Sequence, residues 1–159
     1  MDPALPIVGL WGLAPSSPDK IMRLDLAQIR QAQLALHEMA HWLQTCPDVS
    51  VPEAFHGLMH RTERLFSLEQ QLMEAYDFPS RQAHLEQHAR VLRGLHCVHG
   101  AVLKGECEQG RHAGGSLLMD WLSLHHDTID AVLAVWIDYC QSGLIDPSDP
   151  LKRCGVTAH

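Results

Sequence analysis

The residues best suited to chemistry are two histidines four apart, in the run His84-Leu85-Glu86-Gln87-His88. Residues four apart on a helix share one face, about a turn apart, so both imidazoles can reach a single metal ion. Glu69 stands upstream of the pair, and His125 and Asp130 follow it beyond a Gly-rich stretch. Three imidazoles and two carboxylates suit Fe(II), Mn(II) or Zn(II) by donor type. The competing reading is three core histidines bonded to main-chain carbonyls. With Glu69 buried beside them, however, they would leave a dry polar cluster that a metal satisfies better.

Helices must position these groups, and the apolar periodicity supplies them. Ser17-Pro18-Asp19 has the form of a helix start, with Pro18 at the first helical position, and Cys46-Pro47 stops that helix after about Thr45. Its inward stripe is Met22, Leu26, Ile29, Gln33, Leu36, Ala40 and Leu43. Gln33 breaks an otherwise apolar row, and a buried amide needs a partner. Ser50-Val51-Pro52-Glu53 has capping-box spacing and opens a second helix. Its stripe is Val51, Phe55, Leu58, Thr62, Leu65, Glu69, Leu72 and Tyr76, so Glu69 points inward. Asp77-Phe78-Pro79 ends that helix, and Ser80 can cap a third with His84, His88, Val91, Leu95, Val98 and Val102 inside. Residues 104 to 115 are expected as the longest loop. A fourth helix is expected from about Ser116 to Ser142, with Gly143 as its C-cap. His125 and Asp130 are five apart, which on an ordinary helix separates them by about 140°. A π-bulge between residues 125 and 130 would return both to one face.

These elements predict an all-α protein, an antiparallel up-down-up-down four-helix bundle with an irregular N-terminal arm packed by Trp11. The 159 residues make one domain, with the bundle over about 18–142 and a loose tail over 143–159. A formal net charge of −7 argues against a nucleic-acid backbone as partner. No apolar run approaches the roughly 20 residues needed to cross a bilayer, and the apolar start lacks the basic region of a signal peptide. Five cysteines without a disulfide spacing point to reduced thiols in a cytoplasm. Twelve histidines are the anomaly of composition, and a metal would explain part of it.

The run from Phe66 through Glu69 to Pro79, then His84-x-x-x-His88, then Asp120-Trp121-Leu122-x-x-His125-x-x-x-x-Asp130, resembles the bacterial hemerythrins over about residues 20 to 140. The resemblance implies a four-helix bundle enclosing two irons. One iron would take His84, His88 and His125, and Glu69 and Asp130 would bridge. The family's other iron is held by two histidines, and at their positions stand Gln33 and Leu65. Leu65 offers no donor and Gln33 only an amide oxygen, so the resemblance does not extend to reversible dioxygen carriage. Either one ion remains, or displaced histidines replace the lost pair. If Gln33 faces Leu65, His37 lies near His60 and His41 near His56, all on half-exposed helix surfaces. His37 is the one most able to turn toward Gln33, making these two the residues for a second metal or a ligand pocket.

The resulting expectation is a hemerythrin-like non-haem protein holding one or two irons, with manganese or zinc as alternatives. It would bind or sense oxygen, peroxide or another small diatomic ligand. A redox enzyme acting on peroxide or nitric oxide is the second class. A regulatory bundle with a structural or vestigial ion, acting through a protein partner or homodimer, is the third.

Overall fold

The computed structural model describes residues 18–144 and 146, with side chains from residue 27 onward. The expected N-terminal arm with Trp11, the side chains of Met22 and Leu26, and the rest of the tail lie outside these residues. What is described is all-helical, in four long helices: α1 (Pro18–Thr45), α2 (Val51–Ala75), α3 (Arg81–Val102) and α4 (residues 107–141). No described helix is long and apolar enough to cross a membrane.

The expected stripes form the core. Ile29, Leu36, Ala40 and Leu43 of α1 are buried, with Gln33 half-buried among them. On α2, every stripe position from Val51 to Leu72 is buried, including Thr62 and Glu69. Thr62 meets its polar requirement locally, its hydroxyl donating to the Leu58 carbonyl at 3.0 Å. On α3 the stripe is thinner: His84, His88, Leu95 and Val102 are buried, while Val91 and Val98 are half-buried. Helix α2 packs on both α1 and α3, and the first half of α4 packs on all three. Further along α4, the Trp136 indole donates to the Tyr76 carbonyl at 2.9 Å and ties α4 to the end of α2.

Two caps expected from sequence do not form. Ser50 belongs to a short 3-10 turn, Asp48–Ser50, that runs straight into α2 with helical dihedrals. A capping side chain needs an extended backbone at that residue, so the Ser50 hydroxyl makes no cap bond. Pro52, which has no N–H to satisfy, sits in the first turn instead. Ser80 likewise makes no side-chain cap. The other end signals act as expected. Asp77 adopts φ +44° after α2, and Gly143 adopts φ +72° after α4, where the Leu144 N–H returns to the Tyr139 carbonyl at 3.1 Å.

The largest correction concerns residues 104 to 115. Only Leu103 to Glu106 connect α3 to α4, because α4 begins at Cys107, well before Ser116. It is continuous through a π segment at Arg111–Leu117, an α segment at Leu118–His125, a second π segment at His126–Asp130 and a last α segment at Ala131–Gln141. Gly105 makes the turn at φ +97°, whereas Gly110 and Gly114 serve close approach within α4. A Cβ on Gly114 would stand 2.5 Å from Leu58 Cδ2 and 2.7 Å from Leu43 Cδ2. Arg111 then fastens the start of α4 to the end of α1. Its guanidinium donates to the Leu43 carbonyl at 2.6 Å, the Cys46 carbonyl at 2.7 Å and Asp48 Oδ1 at 2.7 Å. A cation on the last carbonyls of α1 also meets the negative end of its dipole.

Gly114→Ala should therefore lower stability by about 1–3 kcal/mol, since Leu43 and Leu58 are fully buried and have nowhere to move. Gly94→Ala, on exposed helix with open space around it, should raise stability by about 0.5–1 kcal/mol. Thermal melts of the two variants against the parent check both signs.

Candidate metal centre

The centre draws on three helices: Glu69 from α2, His84 and His88 from α3, and His125 and Asp130 from α4. The first four are buried, and the Asp130 side chain is 16% exposed. The five-residue step from His125 to Asp130 works because α4 widens to π geometry over His126–Asp130, within the interval where the sequence requires it. Asp130 Oδ1 consequently lies 3.3 Å from both His125 Nε2 and His84 Nε2. From the other side, Glu69 Oε2 lies 3.1 Å from His88 Nε2 and 3.9 Å from His84 Nε2.

The three imidazoles present Nε2 to one another in a near-equilateral triangle. Its edges are 3.0 Å (His84 to His88), 3.2 Å (His88 to His125) and 3.0 Å (His125 to His84). Protons alone cannot satisfy such a triangle. A ring nitrogen either donates or accepts. Around three nitrogens, at least one edge must therefore join two donors or two acceptors. The reading of three core histidines bonded to carbonyls does not describe these rings either, since all three Nδ1 atoms are buried without a partner. Glu69 Oε2 and Asp130 Oδ1, close as they are to ring nitrogens, also make no hydrogen bond of good geometry. Donor atoms here converge on a common point rather than on each other.

A metal ion fits that point. Ligands at right angles on bonds of about 2.1 Å stand about 3.0 Å apart, whereas tetrahedral ones stand about 3.4 Å apart. The observed edges of 3.0, 3.2 and 3.0 Å fall within the span that nitrogens bound to one ion occupy. Glu69, His84, His88 and His125 form the tight buried group able to hold an ion, and Asp130 adds an oxygen on the α4 side. Aromatic walls fix the ring planes where no partner holds Nδ1. His88 stacks on Phe66 at 3.7 Å and 2°, and His125 stacks on Trp121 at 4.4 Å and 22°. Nothing in the sequence spacing singles out these two aromatics for that task.

Electrostatics leave these groups in the forms a metal needs. Burial by itself would raise the Glu69 carboxyl, but the His84 and His88 imidazoles facing it at 3.9 and 3.1 Å outweigh it and hold the group below its ordinary 4.5. Burial pushes the His88 imidazole below its ordinary 6.5, with Glu69 only partly opposing. Glu69 is thus an anion and His88 a neutral donor at neutral pH.

Beside the centre lies a cavity of about 430 Å³, whose lining includes Gln33, His37, Leu65, Glu69 and Asp130. Gln33 and His37 thus border the site without joining the ligand triangle, and His37 is exposed. Leu65 is buried and faces the same space. His126, which carried no usable spacing, also lines it and sits 3.6 Å from the second Asp130 oxygen through Nδ1. His37, His41, His56 and His60 are surface residues, close to the half-exposed positions expected of them. His56 and His60 contact each other, with His99 beside His56 and Glu63 beside His60. The four described cysteines are free, as expected.

Two outcomes follow. His88→Ala should abolish metal binding and the thermal stabilisation that a bound ion would confer, while His60→Ala leaves both intact, as read by metal analysis and paired melts with and without added metal. The second outcome concerns pH. Glu69 and His88 both titrate below their ordinary values in the fold, so the unfolded chain binds more protons below those values. Their contribution to the metal-free protein is complete above pH 6.5, falls as His88 must charge, and falls again below 4.5 as Glu69 protonates. Melts of chelator-treated protein between pH 7.5 and 4 should show that acid-side decline, and His88→Gln should remove its upper limb.

No protein-family model, curated protein or solved structure matches this chain.

Proposed function

We propose that this chain is a divergent hemerythrin-like protein, an antiparallel up-down-up-down four-helix bundle that holds one iron and binds or senses dioxygen or another small oxidant or gas. The observation that carries the reading is the frustrated triangle of imidazole nitrogens at 3.0, 3.0 and 3.2 Å, flanked by two carboxylate oxygens. Five donors, three nitrogens and two oxygens, suit a five- or six-coordinate ion, iron or manganese, better than four-coordinate zinc. His84, His88 and His125 would supply the nitrogens, and Glu69 and Asp130 the oxygens. An iron there supplies one-electron redox chemistry and affinity for dioxygen, peroxide and nitric oxide. The chain's own residues do the rest. Phe66 and Trp121 hold two rings in plane, and burial keeps His88 neutral. The cavity along Gln33 and Leu65 gives a small molecule a way in. Free thiols on all four described cysteines fit a cytoplasmic setting.

One observation favours a second reading, a redox enzyme acting on peroxide or a similar substrate. The cavity, at about 430 Å³, exceeds what a diatomic ligand needs and is of the size that holds small organic ligands. Its wall carries the Arg30, Gln33 and His37 side chains as hydrogen-bond donors for such a guest.

Metal analysis after anaerobic purification and iron reconstitution tests the proposal. One iron per chain is expected, with a saturable optical change when nitric oxide is added at one equivalent. Zinc in place of iron, or no bound metal, would sink it. A steady-state peroxide assay then separates sensor from enzyme. Installing imidazoles at the two departures should change the count. Gln33→His with Leu65→His is expected to raise the content toward two irons per chain and bring a new charge-transfer absorption, because both positions border the cavity shared with Glu69 and Asp130.

A further inference from the structure

A second pair of histidines on α2 repeats the geometry of the core pair on the surface. His56 and His60 are four apart, their Nε2 atoms stand 3.0 Å from each other, and their rings meet edge to face at 4.4 Å and 89°. The corresponding values for His84 and His88 are 3.0 Å, 4.5 Å and 80°. The two pairs thus share one chelating arrangement, one buried and one exposed.

Glu63 completes the likeness to a metal site. Its Oε2 lies 3.3 Å from His60 Nδ1, one helical turn away. A proton held at Nδ1 by that carboxylate leaves Nε2 of His60 as a lone pair facing His56. This is the place of an outer-shell carboxylate that fixes the tautomer and orientation of a ligating histidine. The other Glu63 oxygen lies 3.6 Å from His96 Nε2 on α3. His99 of α3 sets its ring 5.6 Å from His56. Four imidazoles and one carboxylate thus gather on the α2–α3 face. His56 and His60 lie 13 and 9 residues before Glu69 on the same helix, about 14–20 Å along its axis. At that distance the patch is separate from the core centre.

We propose that His56 and His60 form a surface site for a divalent cation of the zinc, copper or nickel class, with Glu63 as a positioning residue. Two imidazoles at this spacing supply two cis ligands, and the exposure of His60 leaves water to fill the remaining positions. Soft or hard extremes are disfavoured, since neither thiolate nor a second carboxylate joins the pair. The chain's net charge of −7 draws cations toward it.

Zinc titration into protein already loaded with one iron tests the site, with binding read by equilibrium dialysis and the histidine ring nitrogens by NMR. The parent should take up one further zinc per chain and shift the Nε2 resonances of His56 and His60. His60→Ala should lose that zinc and keep the iron. Glu63→Gln should retain it with affinity weaker by about 10-fold or more. His88→Ala, which lacks the core centre, should still bind zinc at the surface pair, so failure of the core assignment and failure of this one are separable. Zinc uptake unchanged in His60→Ala, or no uptake beyond the core site in the parent, would overturn the proposal.

Discussion

Three ring nitrogens within 3.2 Å of one another, in a space two of the carboxylates also enter, set the terms for everything around them. Each neutral imidazole can offer one donor or one acceptor at Nε2, and an odd ring of such groups never closes. Left to protons alone, the cluster would carry at least one repulsive edge in a dry interior, where unpaired polar atoms are most costly. A divalent cation removes the conflict, because every nitrogen then turns its lone pair inward and every ring proton outward. The helices must hold that arrangement against the repulsion whenever the ion is absent. They do so with apolar contacts rather than hydrogen bonds, chiefly the Phe66 and Trp121 ring faces.

The backbone of α4 shows what the arrangement demands. An ordinary helix would turn Asp130 away from His125, and the π widening over His126–Asp130 is what brings its oxygen within 3.3 Å. π geometry gives poorer backbone bonding and is used sparingly, so its presence beside a ligand is a local cost borne for the site. The earlier π segment, Arg111–Leu117, has a different role. It lies where Gly114 lets α4 press on Leu43 and Leu58, and Gln44 donates to the Gly115 carbonyl at 2.7 Å. Arg111, at the head of the same segment, binds the end of α1. One irregularity aims a ligand, and the other seats the helix that carries it.

Much of this was legible in the sequence, and the exceptions have physical causes. The apolar rows gave the helices and their inward faces. The five-residue step from His125 to Asp130 required the π segment that is found. The end of α2 at Asp77 and the Gly143 cap followed from turn chemistry. The stretch from 104 to 115 was misread because clustered glycines signal turns, and sequence does not show that Gly110 and Gly114 face Val102, Leu58 and Leu43 across a helix contact. The Ser50 cap failed because a cap depends on the dihedrals of one residue, and the preceding 3-10 turn set them otherwise. Contacts between helices were the least legible. Phe66 against His88, and Glu63 against His96, join residues on different elements with no periodic relation.

Charge decides how many ions such an interior can hold. Under the reading proposed above, Glu69 and Asp130 together cancel one divalent ion, and three neutral imidazoles finish its coordination without adding charge. A second divalent ion beside it would need nitrogen donors of its own and a solvent-derived bridging anion to offset its charge. Gln33 and the buried Leu65 provide neither anion nor imidazole there to receive it. Uncompensated charge in a low-dielectric interior costs far more than one amide oxygen returns. The space next to Glu69 and Asp130 is instead a cavity that leucines share with polar and charged side chains. Under that reading, Gln33 and Leu65 do more than leave a second ion without donors, because the space beside them becomes a chamber that a guest molecule can enter.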